Sequence, residues 1–326
     1  KMNRLYIAES DLTITGGVAD HRLRVHSSEV EAFSCLVYAE ILKLQKSKDT
    51  ELIAHLEKLG SSVAQHAEWV AECAKDLISN KKNSVVLTGS HQTENAHLVT
   101  YAINQSLGSV GTCVNYVSTK SPSNYTFENL SEDVKSGSIE TVVVIGGNPV
   151  FTCPSSGIAS ILKEAKNSVR IAPCLDETSD HCQLHIGQSH YLESWDLGTT
   201  WDLSAVVPVQ PLIAPLFDTL SDVEVLSILA GEKSNSYDLV VSEYDQLKGK
   251  KNSFEDFLKY GVHRIPRKWK NELLNFKPSL LEQKPKEVSF SLDSLEVVVI
   301  PDFHTWDGKY GNNGWMLECP DPISKL

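Results

Sequence analysis

The sequence predicts an α/β protein: a parallel sheet with flanking helices, joined to a mixed, partly irregular C-terminal region. Three observations predict it. Four short apolar, β-branched-rich runs begin at residues 84, 112, 141 and 168, in steps of less than thirty residues, the length of one strand–helix unit. Helical apolar spacing separates them, and strands joined by helices must run parallel. The third observation is Thr141 to Pro154, TVVVIGGNPVFTCP, where a β-branched run is ended abruptly by Gly146, Gly147, Asn148 and Pro149. Such a run, bounded by turn residues, suits a strand buried on both faces. Together these make residues 82–180 a Rossmann-like α/β domain.

Residues 1–81 form an N-terminal strand, turn and helical subregion. Leu5 to Ile7 read as a short strand and Gly16-Gly17 as a turn. His21, between Asp20 and Arg22, is either a polar site or a structural hydrogen-bonded cluster. Ser28 and Glu31 have the spacing of a capping box, opening a helix with Val30, Phe33, Val37, Ile41 and Leu44 on one face. A second helix, near Leu52 to Leu59, closes at Gly60, and a third spans about 62–79. His55 and His66, among these helices, read as structural or exposed.

In the central domain, strands are predicted at 84–89, 112–117, 141–145 and 168–172. Helices are predicted at 94–107, stopped by Gly108, more weakly at 126–135, and at 156–166. The third region, 181–326, is mixed. Its extended stretch 203–217 is punctuated by Pro208, Pro211 and Pro215, and helices are expected at 222–229, capped by Ser221 or Asp222, and at 254–260. Residues 231–252 read as loop or helix, 266–287 as a surface connection, 295–300 as a strand, and 302–322 as an aromatic, Gly/Asn-rich tail.

The 326 residues allow a full core and two lobes. A net charge of −12 argues against nucleic acid or an anionic membrane as the main partner. No apolar run is long enough for a spanning helix, and no signal or lipidation motif opens the chain. Lys1 precedes Met2 and the chain stops at Leu326 without an obvious tail, so the expectation is a piece of a longer polypeptide. The seven cysteines form no C-x-x-C pair, which removes the usual iron–sulfur and zinc-ribbon spacings.

In open α/β sheets, ligands sit beyond the carboxyl ends of the strands. Gly89-Ser90-His91-Gln92, Gly146-Gly147-Asn148-Pro149 and Asp176-Glu177-Thr178 all fall there. Such turns could cradle a nucleotide-like ligand, although neither G-x-G-x-x-G nor a Walker A sequence is present. Gly146 to Pro149 could equally be only a tight turn. Cys174, His181, Cys182, His185 and His190 could supply metal ligands or form a polar turn with buried histidines; their spacing fits no standard zinc pattern. Glu193 and Asp196 could be paired carboxylates, but G-x-S-x-G and H-E-x-x-H are absent.

Several stretches together carry a resemblance: NRLYIAES with TGGVADHRL, VVIGGNP, CLDETSDHCQLHIGQSHYLESW, VQPLIAPLFDTLS and NNGWMLECPDPISKL. In this order they resemble the molybdopterin-oxidoreductase-like region of the B (iron–sulfur) subunit of alternative complex III. In catalytic members of that superfamily, a strand followed by G-x-N-P lines the pterin-guanine-dinucleotide site. Gly147, Asn148 and Pro149, with Gly146 before them, match that turn. Glu177 and Thr178, preceded by Asp176, match the end of a later Asp-x-x-x-x-Glu-Thr segment. These six residues, Gly146, Gly147, Asn148, Pro149, Glu177 and Thr178, are the cofactor-binding positions the resemblance implies, as a vestigial site. No cysteine or serine matches a metal-ligating position.

The resemblance implies a domain without cofactor, serving the structure or assembly of a quinol:electron-acceptor respiratory complex. Its partners would be other subunits of that membrane-associated complex, on the extracytoplasmic (periplasmic) face, with iron–sulfur clusters in a region after Leu326. The alternative is an active molybdopterin guanine dinucleotide oxidoreductase fragment; a third reading is a stand-alone nucleotide-binding module. The apolar face of the first long helix and Trp306, Tyr310 and Trp315 are either partner surfaces or core.

Overall fold

A computed structural model describes residues 2–116, 125–247, 252–265, 273, 276–281, 295–308 and 310–323. It is an α/β fold with parallel sheets flanked by helices. The chain divides into two compact units, one of Lys1–Ser118, Trp269–Phe303 and Glu318–Leu326, the other of Thr119–Lys268 and His304–Leu317.

In the first unit, β1 (Tyr6–Glu9) pairs in parallel with β2 (His21–Arg24), Tyr6 opposite His21 and Glu9 opposite Arg24. The polar cluster around His21 is structural. Asp20 accepts from the Leu5 amide at 2.8 Å, Arg22 Nε donates to Glu9 at 2.6 Å, and the His21 ring stacks on Tyr6. Four helices follow: Val30–Leu44, Thr50–Leu59, Ala67–Asn80 and Glu94–Leu107. The helix Val30–Leu44 is the axis of this core. Its Phe33, Val37 and Ile41 bury against Leu52, Leu56, Val70, Val99 and Ile103, so its apolar face is core and not a partner surface. Ile41 and Leu56 are fully buried, each worth about 1.5–3 kcal/mol relative to exposure. Asp49 and Thr93 cap two of the helices, accepting from the amides of Leu52 and Ala96, and Gly108 ends the last at φ +72°, a conformation that Gly adopts without a Cβ penalty.

The expected capping box at Ser28 does not form. Ser27–Glu29 make a 3₁₀ turn and the α-helix starts only at Val30, so Ser28 is not its N-cap. Glu31 is buried and instead accepts from Thr93 Oγ1 at 2.6 Å and Asn95 Nδ2 at 3.0 Å, tying two helices together. The amides of Ser27 and Ser28 donate to the Glu296 carboxylate at 3.1 and 2.8 Å, a charge-favoured contact near a helix start.

Among the described residues, two expected strands of this unit are not strands. At 84–89, the side-chain amide of Asn104, itself buried, accepts from the Val86 N–H at 2.9 Å and donates to its C=O at 2.8 Å. One side chain thus replaces a ladder partner for that residue. At 112–116 the backbone turns, the Thr112 and Cys113 amides both donating to Ser109 O, with a single bridge between Val110 and Val114; Val117 lies outside the described residues. Leu295 to Ile300, also expected as a strand, has no regular secondary structure and pairs with no strand among the described residues.

The second unit holds the parallel sheet. β3 (Thr141–Ile145), β4 (Asn167–Ala172) and β5 (Leu184–Gly187) lie in the order β3-β4-β5, with Val143 opposite Val169 and Ile171 opposite both Ile145 and Ile186. Helices Phe127–Ser136 and Ile158–Glu164 bury Val134, Ile158, Ile161 and Leu162 against Val142. A second sheet, β6 (Asp196–Thr199), β7 (Ala205–Val209) and β8 (His263–Arg264), is antiparallel. Helices Asp222–Leu229, Ser236–Gln246 and Phe254–Tyr260 accompany it. The first begins in a full capping box, Ser221 with Glu224. Tyr244 and Phe257, both buried, stack at 4.4 Å.

Candidate functional site

The site lies at the carboxyl ends of β3 and β4. Val142 to Ile145 extend because β-branched residues suit a half-buried, pleated surface. Against the expectation of burial on both faces, Val142 is buried but Val143, Val144 and Ile145 are half-buried, because β3 ends the sheet among the described residues. Gly146 then turns the chain at φ +74°, where a side chain would be strained. Its amide still donates to Ile171 O at 3.0 Å, so the ladder continues one residue past the strand. Pro149 opens a single helical turn that ends at Thr152.

Asn148 is where the two segments meet. Its Nδ2 donates to Glu177 Oε2 at 2.7 Å, and its Oδ1 accepts from Thr178 Oγ1 at 2.6 Å. Thr178 is fully buried, and its hydroxyl oxygen also accepts from the Val150 amide at 3.2 Å. Asn148, Glu177 and Thr178, picked out from separate turns, are therefore in direct contact. Gly146 and Gly147 border them, and a Cβ built on either glycine meets nothing within 4 Å. The hydrogen bond from Asn148 holds the exposed Glu177 carboxyl below its ordinary pKa.

Beneath this surface pair lies a residue whose role the sequence reading missed. Arg170, in the middle of β4, is 1% exposed. Its Nε and Nη2 donate to the two oxygens of Asp176 at 3.3 and 2.6 Å. Nη2 also donates to Gly146 O at 2.6 Å, and Nη1 to Val144 O and Ile171 O, both at 3.3 Å. A guanidinium has five N–H donors, and all five are used. Burial works to raise the Asp176 carboxyl, but hydrogen bonds from Arg170 and Ser179 outweigh it and leave its pKa below the ordinary carboxylate value. An arginine between Val169 and Ile171 in a strand, with an aspartate six residues on, was the available signal.

Ser179 closes the cluster. Its hydroxyl donates to Asp176 Oδ1 at 2.9 Å and accepts from the Asp176 amide at 3.1 Å; His185 Nδ1 lies 3.1 Å away. Asp176 and His185 thus share one hydroxyl, whose single proton can serve only one of them.

The other candidates disperse. Gly89 to Gln92 follow no strand, and Gln92 Nε2 donates to Ser27 Oγ at 3.0 Å. Among the described residues, no three His, Cys, Asp or Glu side chains come together as a metal group. Cys174 is exposed, Cys182 and His181 are half-buried, and the His190 ring accepts from the Leu192 amide. Glu193 and Asp196 are each bound to backbone amides, Glu193 to those of His190 and Leu216, Asp196 to that of Leu197. Trp306 and Trp315 are exposed and Tyr310 partly so. No helix among the described residues is long and apolar enough to cross a membrane.

No protein-family model and no curated protein sequence matches the chain. Its fold is similar to that of acetylene hydratase from Pelobacter acetylenicus, with a TM-score of 0.54 at 11% identity, covering 80% of this chain and 48% of that one. The chain thus spans about half the length of the solved structure it matches. The likeness is one of fold alone.

Proposed function

We propose that this chain is a molybdopterin-oxidoreductase-like domain that works without a cofactor, as a structural and assembly part of a quinol:electron-acceptor respiratory complex on the extracytoplasmic face of a membrane. The fold likeness supports the first part. The single observation that carries the cofactor-free reading is the donor set at the strand ends. A pterin guanine dinucleotide would bring a pyrophosphate to this edge, and an anion of that kind needs free N–H donors or cations. Every N–H of Arg170 is taken, Asn148 is held on both sides, and Asp176 and Glu177 place two carboxylates beside the turn. The side chains here offer such a group no free cation, and the Gly147 and Asn148 amides are the donors this turn leaves open. The side chains fit a clamp that joins the turn after β3 to the segment after β4.

The active-fragment reading draws on one observation, the open space over Gly146 and Gly147, which leaves room for a ligand near the turn. The assembly role is tested by tagging the chain in its native host and resolving detergent-solubilised membranes on native gels. Migration with a larger assembly, lost when Asp176→Ala breaks the clamp, supports the role. Migration as a free chain, with quinol oxidation in the membranes unchanged when the chain is deleted, contradicts it.

A further inference from the structure

The second unit contains a cleft of about 560 Å³ that shares no residue with the strand-end clamp. Trp195, Leu212, Ile213 and Leu220 line its apolar part, and Glu193 and Glu224 its polar part; among the described residues, no Lys, Arg or His lines it. Its walls are pinned. The Leu212 and Ile213 amides both donate to Leu192 O, the Ser189 amide to Leu220 O, and Glu193 bridges the His190 and Leu216 amides. Hydrogen bonds from Ser221 and Ser236 overcome the burial that would raise the Glu224 carboxyl and keep its pKa below the ordinary value, so the cleft carries negative charge at neutral pH. Beside it, Leu212, Leu216 and Phe217 are 77%, 70% and 78% exposed. Leu216 and Phe217 directly follow the lining residue Pro215 in the chain, and exposed apolar side chains that gather in a patch mark interaction surfaces.

We infer that this cleft docks a segment of a partner protein that carries apolar side chains together with lysine or arginine. The apolar side chains cover Leu212, Leu216 and Phe217, and a cation enters between Glu193 and Glu224 beside the Trp195 ring. Charge complementarity selects this occupant: both carboxylates accept from amides yet stay charged, so an apolar cover would take that charge out of water without a counter-ion, whereas a guanidinium or ammonium offsets it beside an indole. The overall charge of −12 draws in the same kind of partner. The inference does not rest on the respiratory-assembly reading.

The test is fluorescence anisotropy of a labelled ten-residue peptide alternating leucine and arginine, titrated with the whole chain in about 0.15 M salt, where loose surface attraction is screened. It predicts binding about tenfold or more tighter than to analogues with glutamate for arginine or serine for leucine. Leu212→Ser, at an exposed position, weakens it about tenfold, and Glu193→Gln reduces the preference for arginine over glutamate. Equal binding of the serine analogue would reveal attraction to charge alone and overturn the inference. So would unchanged affinity in Leu212→Ser with an unaltered melting temperature. Full displacement of the peptide by phenethylammonium at equal concentration would make this a small-cation pocket and overturn the peptide assignment.

Discussion

Arg170 and Asp176 form a two-point ion pair at the carboxyl end of the parallel sheet, with the guanidinium 1% exposed and every donor filled. The same guanidinium binds the carbonyls of Val144 and Gly146, one on the neighbouring strand and one in the turn after it. The turn after β3 and the segment after β4 are thereby held by one side chain from below and by Asn148 from above.

Removing one partner of a buried pair leaves the other charge uncompensated, which is more damaging than the pair's net worth. Asp176→Ala is expected to destabilise the protein by about 3–5 kcal/mol, read as a fall in the urea midpoint with an unchanged slope.

The acid limb of stability follows from the same carboxyl. Its folded pKa lies below the ordinary value, so the unfolded chain takes up the proton first as pH falls. Stability from this group is complete above the unfolded value of about 3.9 and is lost as pH drops through the lower folded value. Melting temperatures should therefore fall steeply below about pH 4, and Asp176→Asn should flatten that slope. An equally steep slope in the variant would assign the acid limb elsewhere.

Asn148→Ala leaves the buried Thr178 hydroxyl without its acceptor. The expected cost is about 1–3 kcal/mol, measured by chemical denaturation. Glu177→Gln, at an exposed position where the amide can still accept from Asn148, should leave the melting temperature unchanged.

In the first unit, Asn104→Ala frees both backbone groups of Val86. Faster amide hydrogen exchange at Val86, with a stability loss of about 1–3 kcal/mol, is expected. Unchanged protection would mean that Asn104 does not hold this segment.

How much was legible depends on where the partner sits. Val142 to Ile145 were readable as a strand because a local pattern and a local stop signal agree. Leu184 to Gly187 were not, because HCQLHIGQ has no β-branched run, and the segment is a strand only because Ala172 and its neighbours offer a free edge. The run at 84–89 has the composition of a strand, but an amide eighteen residues on outcompetes a ladder for Val86. Glu31 has capping-box spacing, yet a 3₁₀ turn shifts the helix start and frees it to bind Thr93 and Asn95. At the site, the strand-end rule picked out Asn148, Glu177 and Thr178 from separate turns. Arg170 escaped because local pattern shows a strand's composition, not the buried anchor that a long side chain becomes in three dimensions.

The central claim is that the strand-end turn is committed to holding the fold and carries no pterin. The direct measurement is to purify the chain from its native host, denature and oxidise it, and quantify pterin fluorescence alongside molybdenum and tungsten. The account predicts no pterin and neither metal above background. One equivalent of pterin per chain would contradict it.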